Sequence, residues 1–476
     1  MKKVIVFLAA FAFICLGWSA KAQTKLWGMT YSGGNTNGGT IFKINEDGTN
    51  LNSLYSFIND GDTGNSPGYA PVGSLLQSNN GKLYGACHDG GHHHSCCIFS
   101  FDPITNSYSD LYDFDITHGD YPLSGLVESS NGNLYGVASA GGTSLVGVLY
   151  SFDPSTNTYT DLYEFEGING AQPIGHPICL SNNKLYGMTN VGGSNAFGVI
   201  YCYDIASNTY SDLYDLTGIG GSGSWGSLLQ ANNGLLYGMT MSGGTDSLGV
   251  IFSFDVSSNT YTVLHNFNGT NGSGPSGSLI QLSNGKLAGM TMTGGLNNLG
   301  VIFTFDIGTN DFSSVHDFNS STGSTPWSEF KEDGNGILFG STSNGGQSGN
   351  GVIFKYDLSS NNYSDIFDFN GTNGSNVQCA LTTIVNTGIS NIENNNDISI
   401  YPNPASTLLN IHLSTCTSQE TLLITDLLGT VVYIAELHGI DNTISISTWS
   451  AGIYLYEVRS GLQIPTSVRG KFVVQK

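Results

Sequence analysis

The chain repeats itself every 51 residues. A Leu-x-Gly step occurs seven times, at Leu26-Trp27-Gly28, Leu83-Tyr84-Gly85, Leu134-Tyr135-Gly136, Leu185-Tyr186-Gly187, Leu236-Tyr237-Gly238, Leu287-Ala288-Gly289 and Leu338-Phe339-Gly340. From Gly85 to Gly340 the interval is always 51 residues; the first is 57, lengthened by a six-residue insertion between Asn59 and Pro71. A Gly-Gly pair begins five residues after each of these glycines, from Gly33-Gly34 to Gly345-Gly346. A period of this size belongs to units that cannot bury their apolar face alone and must stack on their neighbours.

One copy shows the unit. Ser227-Leu228-Leu229 precedes Asn233-Gly234, a turn signal, and then Leu236 to Thr240. A Gly-rich loop leads to Val250 to Phe254, a turn spans Asp255 to Asn259, and Tyr261 to Phe267 is the last extended piece. Helical periodicity is absent, so the unit is a four-stranded meander. Its third strand, Val250-Ile251-Phe252-Ser253-Phe254, is apolar on both faces, as a sheet packed between two others requires. Four-stranded sheets repeated radially make a β-propeller.

The two ends of the array fit together. The first copy starts at Thr24 without its first strand, and Cys379 to Val385 follows the seventh copy as an extra strand-like piece. Cys379-Ala380-Leu381 is aligned here with Ser278-Leu279-Ile280. The expected fold is therefore all-β: a seven-bladed β-propeller over residues 23–385, closed by that C-terminal strand. The pattern Gly-x-Leu-Tyr-Gly-(Met/Thr)-x-x-x-Gly-Gly followed by Gly-Val-Ile-Phe resembles the tandem GloVer repeat of secreted bacterial proteins, over roughly residues 24–385. That resemblance implies export and no particular reaction.

Composition changes at both ends. Lys2 and Lys3, the apolar run Val4 to Leu16 and Ala20-Lys21-Ala22 read as a signal peptide over residues 1–22, the alternative being an N-terminal anchor. No later apolar run is long enough to span a bilayer. Asn386 to Asp397 is a polar linker. Residues 398–476 carry Tyr401-Pro402-Asn403-Pro404, an Asp426-Leu427-Leu428-Gly429 turn, Gly452-Ile453-Tyr454 and a final Lys471-Phe472-Val473-Val474-Gln475-Lys476. Short alternating strands there predict a small immunoglobulin-like β-sandwich. The motifs resemble the type IX secretion C-terminal sorting domain of Bacteroidetes; an ordinary accessory sandwich is the alternative. The resemblance implies the type IX machinery as partner, transport across the outer membrane, and an extracellular or surface-attached location.

Charge narrows the partners. The net charge is −22, and between Gln23 and Ser390 there are seven lysines, no arginine and 29 acids. Nucleic acid needs a cationic track and is excluded as a partner; polyanionic glycans are disfavoured for the same reason. A sialidase-type site would need an arginine cluster, and no Gly-x-Ser-x-Gly elbow, P-loop or His-Glu-x-x-His is present. Most acids recur in register, as Asp102, Asp153, Asp204, Asp255, Asp306 and Asp357 do, which points to turn capping.

Departures from the repeat mark candidate sites. The loops between strands two and three, and those between copies, emerge on one face. Trp225 and Trp327 lie 13 residues before Gly238 and Gly340, where other copies have Val72, Leu123, Ile174 and Ser276. His118, Tyr121, His176 and Phe197 fall in the same loop sets. Aromatic faces suit the C–H surfaces of sugars, and surrounding Asn, Ser and Thr suit their hydroxyls; the alternative is that the indoles fill inner gaps. The second copy also holds Cys87-His88-Asp89-Gly90-Gly91-His92-His93-His94-Ser95-Cys96-Cys97. Cys87, His88, His92, His94, Cys96 and Cys97 suit a transition metal, whereas Cys87 with Cys96 or Cys97 suits a disulfide; both stay open. The expected function is binding of an extracellular glycan or protein, with a structural surface or adhesion protein, or an enzyme acting on polysaccharide or peptide, as alternatives.

Overall fold

The computed structural model describes residues 25–61, 66–91, 96–384, 398–402, 405–413, 420–426, 431–460 and 467–475. The signal segment and the linker expected at 1–22 and 386–397 lie outside them. Among the described residues there is no helix, and each copy of the repeat forms its own antiparallel sheet of four strands, with a fifth short strand in the sixth copy. In the fifth copy the strands are Leu229–Gln230, Leu236–Thr240, Val250–Asp255 and Thr260–Asn266. The architecture is β-propeller-like.

The Leu-x-Gly step has a direct cause. Each of its glycines sits opposite an aromatic residue of strand three, as Gly238 does opposite Phe252 and Gly187 opposite Tyr201. A Cβ at either glycine would strike that ring, so only hydrogen leaves room for the aromatic side chain to lie across strand two. The residues of strand three are buried on both faces, as their patterning requires.

Aromatic contacts join consecutive sheets. On strand four, Tyr112 stacks on Tyr159 at 4.1 Å, Tyr163 on Tyr210 at 3.7 Å and His316 on Tyr363 at 4.0 Å, with planes within 2° of parallel. Deeper in, Phe114 meets Tyr150 at 5.3 Å and Phe318 meets Phe354 at 5.4 Å. The same edge-on contact occurs between the last copy and the first, as Phe369 against Phe42 at 5.4 Å. Offset and edge-on aromatic pairs of this kind add about 0.5–1.5 kcal/mol each beyond the area they bury.

The structure corrects two expectations about strand one. In most copies it is only two residues long, and Ser227 and Leu228 lie outside the ladder. They are drawn to the neighbouring copy instead: Ser227 N donates to Ser278 Oγ at 3.0 Å, and a Cβ on Gly226 would run into the Gly277 carbonyl. The terminal piece likewise pairs only through Thr382–Thr383, set opposite Trp27 and Leu26. Thr382 faces Trp27 as Ile280 faces Ala288, so the alignment of Cys379-Ala380-Leu381 above is displaced by one residue. The segment is held beyond its ladder. Met29 N donates to Cys379 Sγ at 2.9 Å, Cys379 Sγ donates to Met29 O at 3.0 Å, and Ser32 and Ser375 exchange two backbone bonds.

The C-terminal residues form a β-sandwich. One sheet holds Ile398–Tyr401, Leu408–Leu413 and Asp441–Ser445; the other holds Val431–Leu437, Glu420–Thr425, Gly452–Ser460 and Ser467–Val474. Leu409, Ile411 and Ile444 of the first meet Leu422, Ile424, Val458 and Phe472 of the second in one buried cluster.

Candidate functional site

The loops that sequence reading placed on one face do meet. Isolated bridges tie inter-copy loops to loops between strands two and three, as in Asp120 with Ala140, Ala171 with Val191, Ser222 with Ser242 and Ser324 with Asn344, and short ladders do so in the second and sixth copies. Where they converge, a cavity of about 420 Å³ is lined by residues from all seven copies. Its wall is built by one short run per copy, the run that leaves the strand-one ladder to pack on its neighbour.

Small residues bring these runs together. Gly175 abuts Gly226, Gly226 abuts Gly277 and Gly277 abuts Ser328, backbone against backbone. Just before each run stands a residue of left-handed backbone: Ala70, Tyr121, Gln172, Gly223, Gly274, Thr325 and Asn376, with φ between 52° and 68°. Five of these are not glycine, a conformation that costs energy and that persists only where surrounding contacts impose it.

The two tryptophans line the cavity and touch each other. Their ring centroids are 5.1 Å apart and the planes are tilted by 44°, although one whole copy lies between theirs in sequence. The intervening copy permits this by having Ser276, which is buried and donates from Oγ to Pro326 O at 3.0 Å. Each indole therefore covers part of the other, and both remain half-buried with a face toward the cavity. His176 lines the same space, its Nδ1 3.1 Å from Pro177 O, and Glu329 and Gln378 add polar groups.

The other candidates divide. Tyr121 reaches the rim through His88, with ring centroids 4.9 Å apart, and Tyr31 approaches His88 edge-on at 5.9 Å. Tyr31 and His88 line the cavity, and burial with Asp89 nearby raises the Tyr31 phenol above its ordinary value. His118 is exposed and binds Asp115 through Nδ1 at 2.8 Å, a hydrogen bond that raises its pKa; it caps its own turn away from the cavity. Phe197 is exposed and lies over Gly218, also away from the cavity. Sequence reasoning passed over Tyr31, Glu329 and Gln378. Gln378 was within reach, since it continues the 51-residue series of Trp225 and Trp327 into the terminal segment.

The Cys/His loop separates into different environments. Cys87 and Cys97 face each other across the ladder. Cys96 turns elsewhere, its Sγ donating to Asp120 Oδ1 at 3.3 Å and accepting from Tyr121 N at 3.1 Å. His88 points to the cavity, with Nδ1 3.0 Å from Asp89 Oδ2. His92 and His94 lie outside the described residues, and among the described residues no three His, Cys, Asp or Glu side chains come together as a metal-holding group.

The Gloeobacter/Verrucomicrobia repeat matches three overlapping stretches, residues 16–195, 162–335 and 278–388. The chain belongs to this repeat family. The secretion system C-terminal sorting domain matches residues 399–475, so this Gloeobacter/Verrucomicrobia repeat protein carries the type IX signal for export to an extracellular or surface-attached location. No curated protein matches it in sequence. Among solved structures it is similar to TolB from Acinetobacter baumannii, at 16% identity over 61% of this chain and 62% of that one, with a TM-score of 0.39. It is also similar to PorZ, a surface component of the type IX secretion system of Porphyromonas gingivalis, at 14% identity over 95% and 58%, with a TM-score of 0.41. A third is the extracellular domain of BT4673 from B. thetaiotaomicron, at 12% identity over 95% and 57%, with a TM-score of 0.47. The chain thus spans about six-tenths of the length of these structures. No helix among the described residues is long and apolar enough to cross a membrane.

Proposed function

We propose that residues 23–385 close into a seven-bladed propeller, completed by the segment around Thr382–Thr383, and that its central cavity binds an extracellular ligand. The observation that carries the binding reading is the Trp225–Trp327 pair. Two half-buried indoles at 5.1 Å, facing a cavity that also holds His176, Glu329 and Gln378, offer apolar faces beside hydrogen-bonding groups. This suits a sugar ring, whose C–H faces stack on aromatics while its hydroxyls are bonded at the edge. A neutral glycan fits best, because no arginine lies between Gln23 and Ser390 and acids outnumber lysines there. A surface protein presenting a small side chain or loop is the second class of ligand. The type IX tail, residues 398–476, delivers the propeller to where such ligands are.

The test is a neutral-glycan array probed with the mature chain and with Trp225→Ala and Trp327→Ala. Binding to a defined glycan that drops at least tenfold in both variants supports the reading. No binding to any glycan or surface protein supports a structural spacer, and turnover of a bound glycan makes the protein an enzyme.

A further inference from the structure

The last rung between strands two and three is small and oxygen-bearing or aliphatic in six copies. Thr30 faces Thr40, Ala138 faces Val148 and Thr240 faces Val250. Thr189, Thr291 and Thr342 bind the backbone N–H of Val199, Val301 and Val352 through their hydroxyls. Only in the second copy are both partners replaced, and both by cysteine: Cys87 faces Cys97. Two coordinated changes at one rung of an otherwise regular array need a local cause.

The surroundings supply one. Both residues are fully buried. A Cβ on Gly68 would run into Cys97 Sγ and lie 3.0 Å from Cys87 Sγ, so both sulfurs point to one spot beneath that glycine. Gly68 belongs to the insertion that makes this copy longer than the others. Cys97 Sγ is 3.5 Å from Pro67 O and 3.7 Å from Tyr108 Oη, so the insertion roofs the pair. Facing residues of an antiparallel ladder have Cα atoms about 4.5–5.5 Å apart, inside the range that a disulfide spans. Cys96 does not compete, being turned to Asp120 and Tyr121.

We propose that Cys87 and Cys97 are oxidised to a disulfide during export, bracing the wall beneath the insertion and next to His88. The oxidant is a disulfide-bearing thiol oxidase of the cell envelope, where disulfides form and persist. The thiolate of one cysteine attacks the oxidase disulfide, and the second thiolate displaces the oxidase from the mixed disulfide. One S–S bond forms in this chain, one breaks in the oxidase, and the two thiol protons end on the oxidase sulfurs.

The test uses the full chain exported through an oxidising envelope and kept free of reductant. It is unfolded in N-ethylmaleimide, digested and read by mass spectrometry. The expected result is a Cys87 peptide linked to a Cys97 peptide, two hydrogens lighter than the separate pair, with Cys179, Cys202 and Cys379 labelled. Both Cys87 and Cys97 labelled, Cys87 linked to Cys96, or stoichiometric zinc, copper or nickel with both thiols intact would each overturn the proposal. Cys87→Thr with Cys97→Val restores the rung of the other copies. That variant is expected to fold and to melt at the same temperature with or without reductant, whereas the parent loses several degrees in reductant. A parent unmoved by reductant overturns the bracing role.

Discussion

Replacing Asp212 and Asp365 by Asn should stabilise the protein at neutral pH and leave it unchanged in acid. Both carboxyls are half-buried on strand four, and burial pushes each from an ordinary 3.8 up to about 6. The second cause is a fixed neighbour. Asp215 accepts from Ser194 N, and Asp368 accepts from Gln347 N at 2.6 Å, so both sit three residues along as loop caps whose charge raises Asp212 and Asp365 further. Between pH 3.8 and 6 the folded state holds more protons than the unfolded chain. The stabilising contribution is complete below about pH 4 and is lost as pH rises through 6. A shift of roughly two units corresponds to at most about 3 kcal/mol per site. Half-exposure and solvent screening reduce that to about 1 kcal/mol. Asn keeps the carbonyl that accepts from Tyr214 N or Phe367 N and is neutral at every pH. The two sites are in different copies and should add. For a domain of this size the double variant should melt about 2–4 °C higher at pH 7.5. Scanning calorimetry of the full chain at pH 4 and pH 7.5 reads it. An equal shift at both pH values, or a lower melting point at pH 7.5, would refute the electrostatic account.

Gly226→Ala should cost about 1–3 kcal/mol, because its methyl meets the Gly277 carbonyl where two backbones touch; a melting curve matching the parent would remove the close-packed inner wall as a cause. Deleting residues 379–385 should lower the melting temperature and leave the edge Lys25–Thr30 open to aggregation, seen by light scattering, and an unchanged melting temperature would sink the closed ring. His265→Tyr should stabilise more at pH 5 than at pH 8. Burial lowers the His265 imidazole from 6.5 to about 4, so its contribution is present above 6.5 and is lost as pH falls toward 4. The tyrosine would reproduce the Tyr163–Tyr210 type of stack in place of His265 on Phe312.

The sheets were legible because the same chemistry is written seven times. Gly238 opposite Phe252 is ambiguous alone, but the same spacing at every copy fixes strands two and three. Strand one was less legible. Leu228 and Leu229 look alike in sequence, yet only Leu229 pairs in the sheet, since the backbone before it is claimed by the neighbouring copy. The site was legible where a copy departs from its siblings in size, as Trp225 and Trp327 do. Tyr31 was hidden because its position varies from copy to copy, with Ser139, Asn190 and Met241 as equivalents, so no departure stands out. His118 was misleading for the opposite reason. It is unusual in sequence, but Asp115 and the Thr117 hydroxyl, each 2.9 Å or less from its Nδ1, hold it in its own turn.

The bond from Met29 N to Cys379 Sγ joins residues 350 positions apart, and it sets an order of events. The first sheet cannot be finished by anything made early in synthesis. It waits for Thr382 and Thr383, which are made 16 residues before the sorting tail begins at Ser399. A chain interrupted anywhere upstream of them lacks both its missing strand and its export label. The sorting tail thus follows the strand that completes the first sheet, so a chain that carries the address also carries that strand.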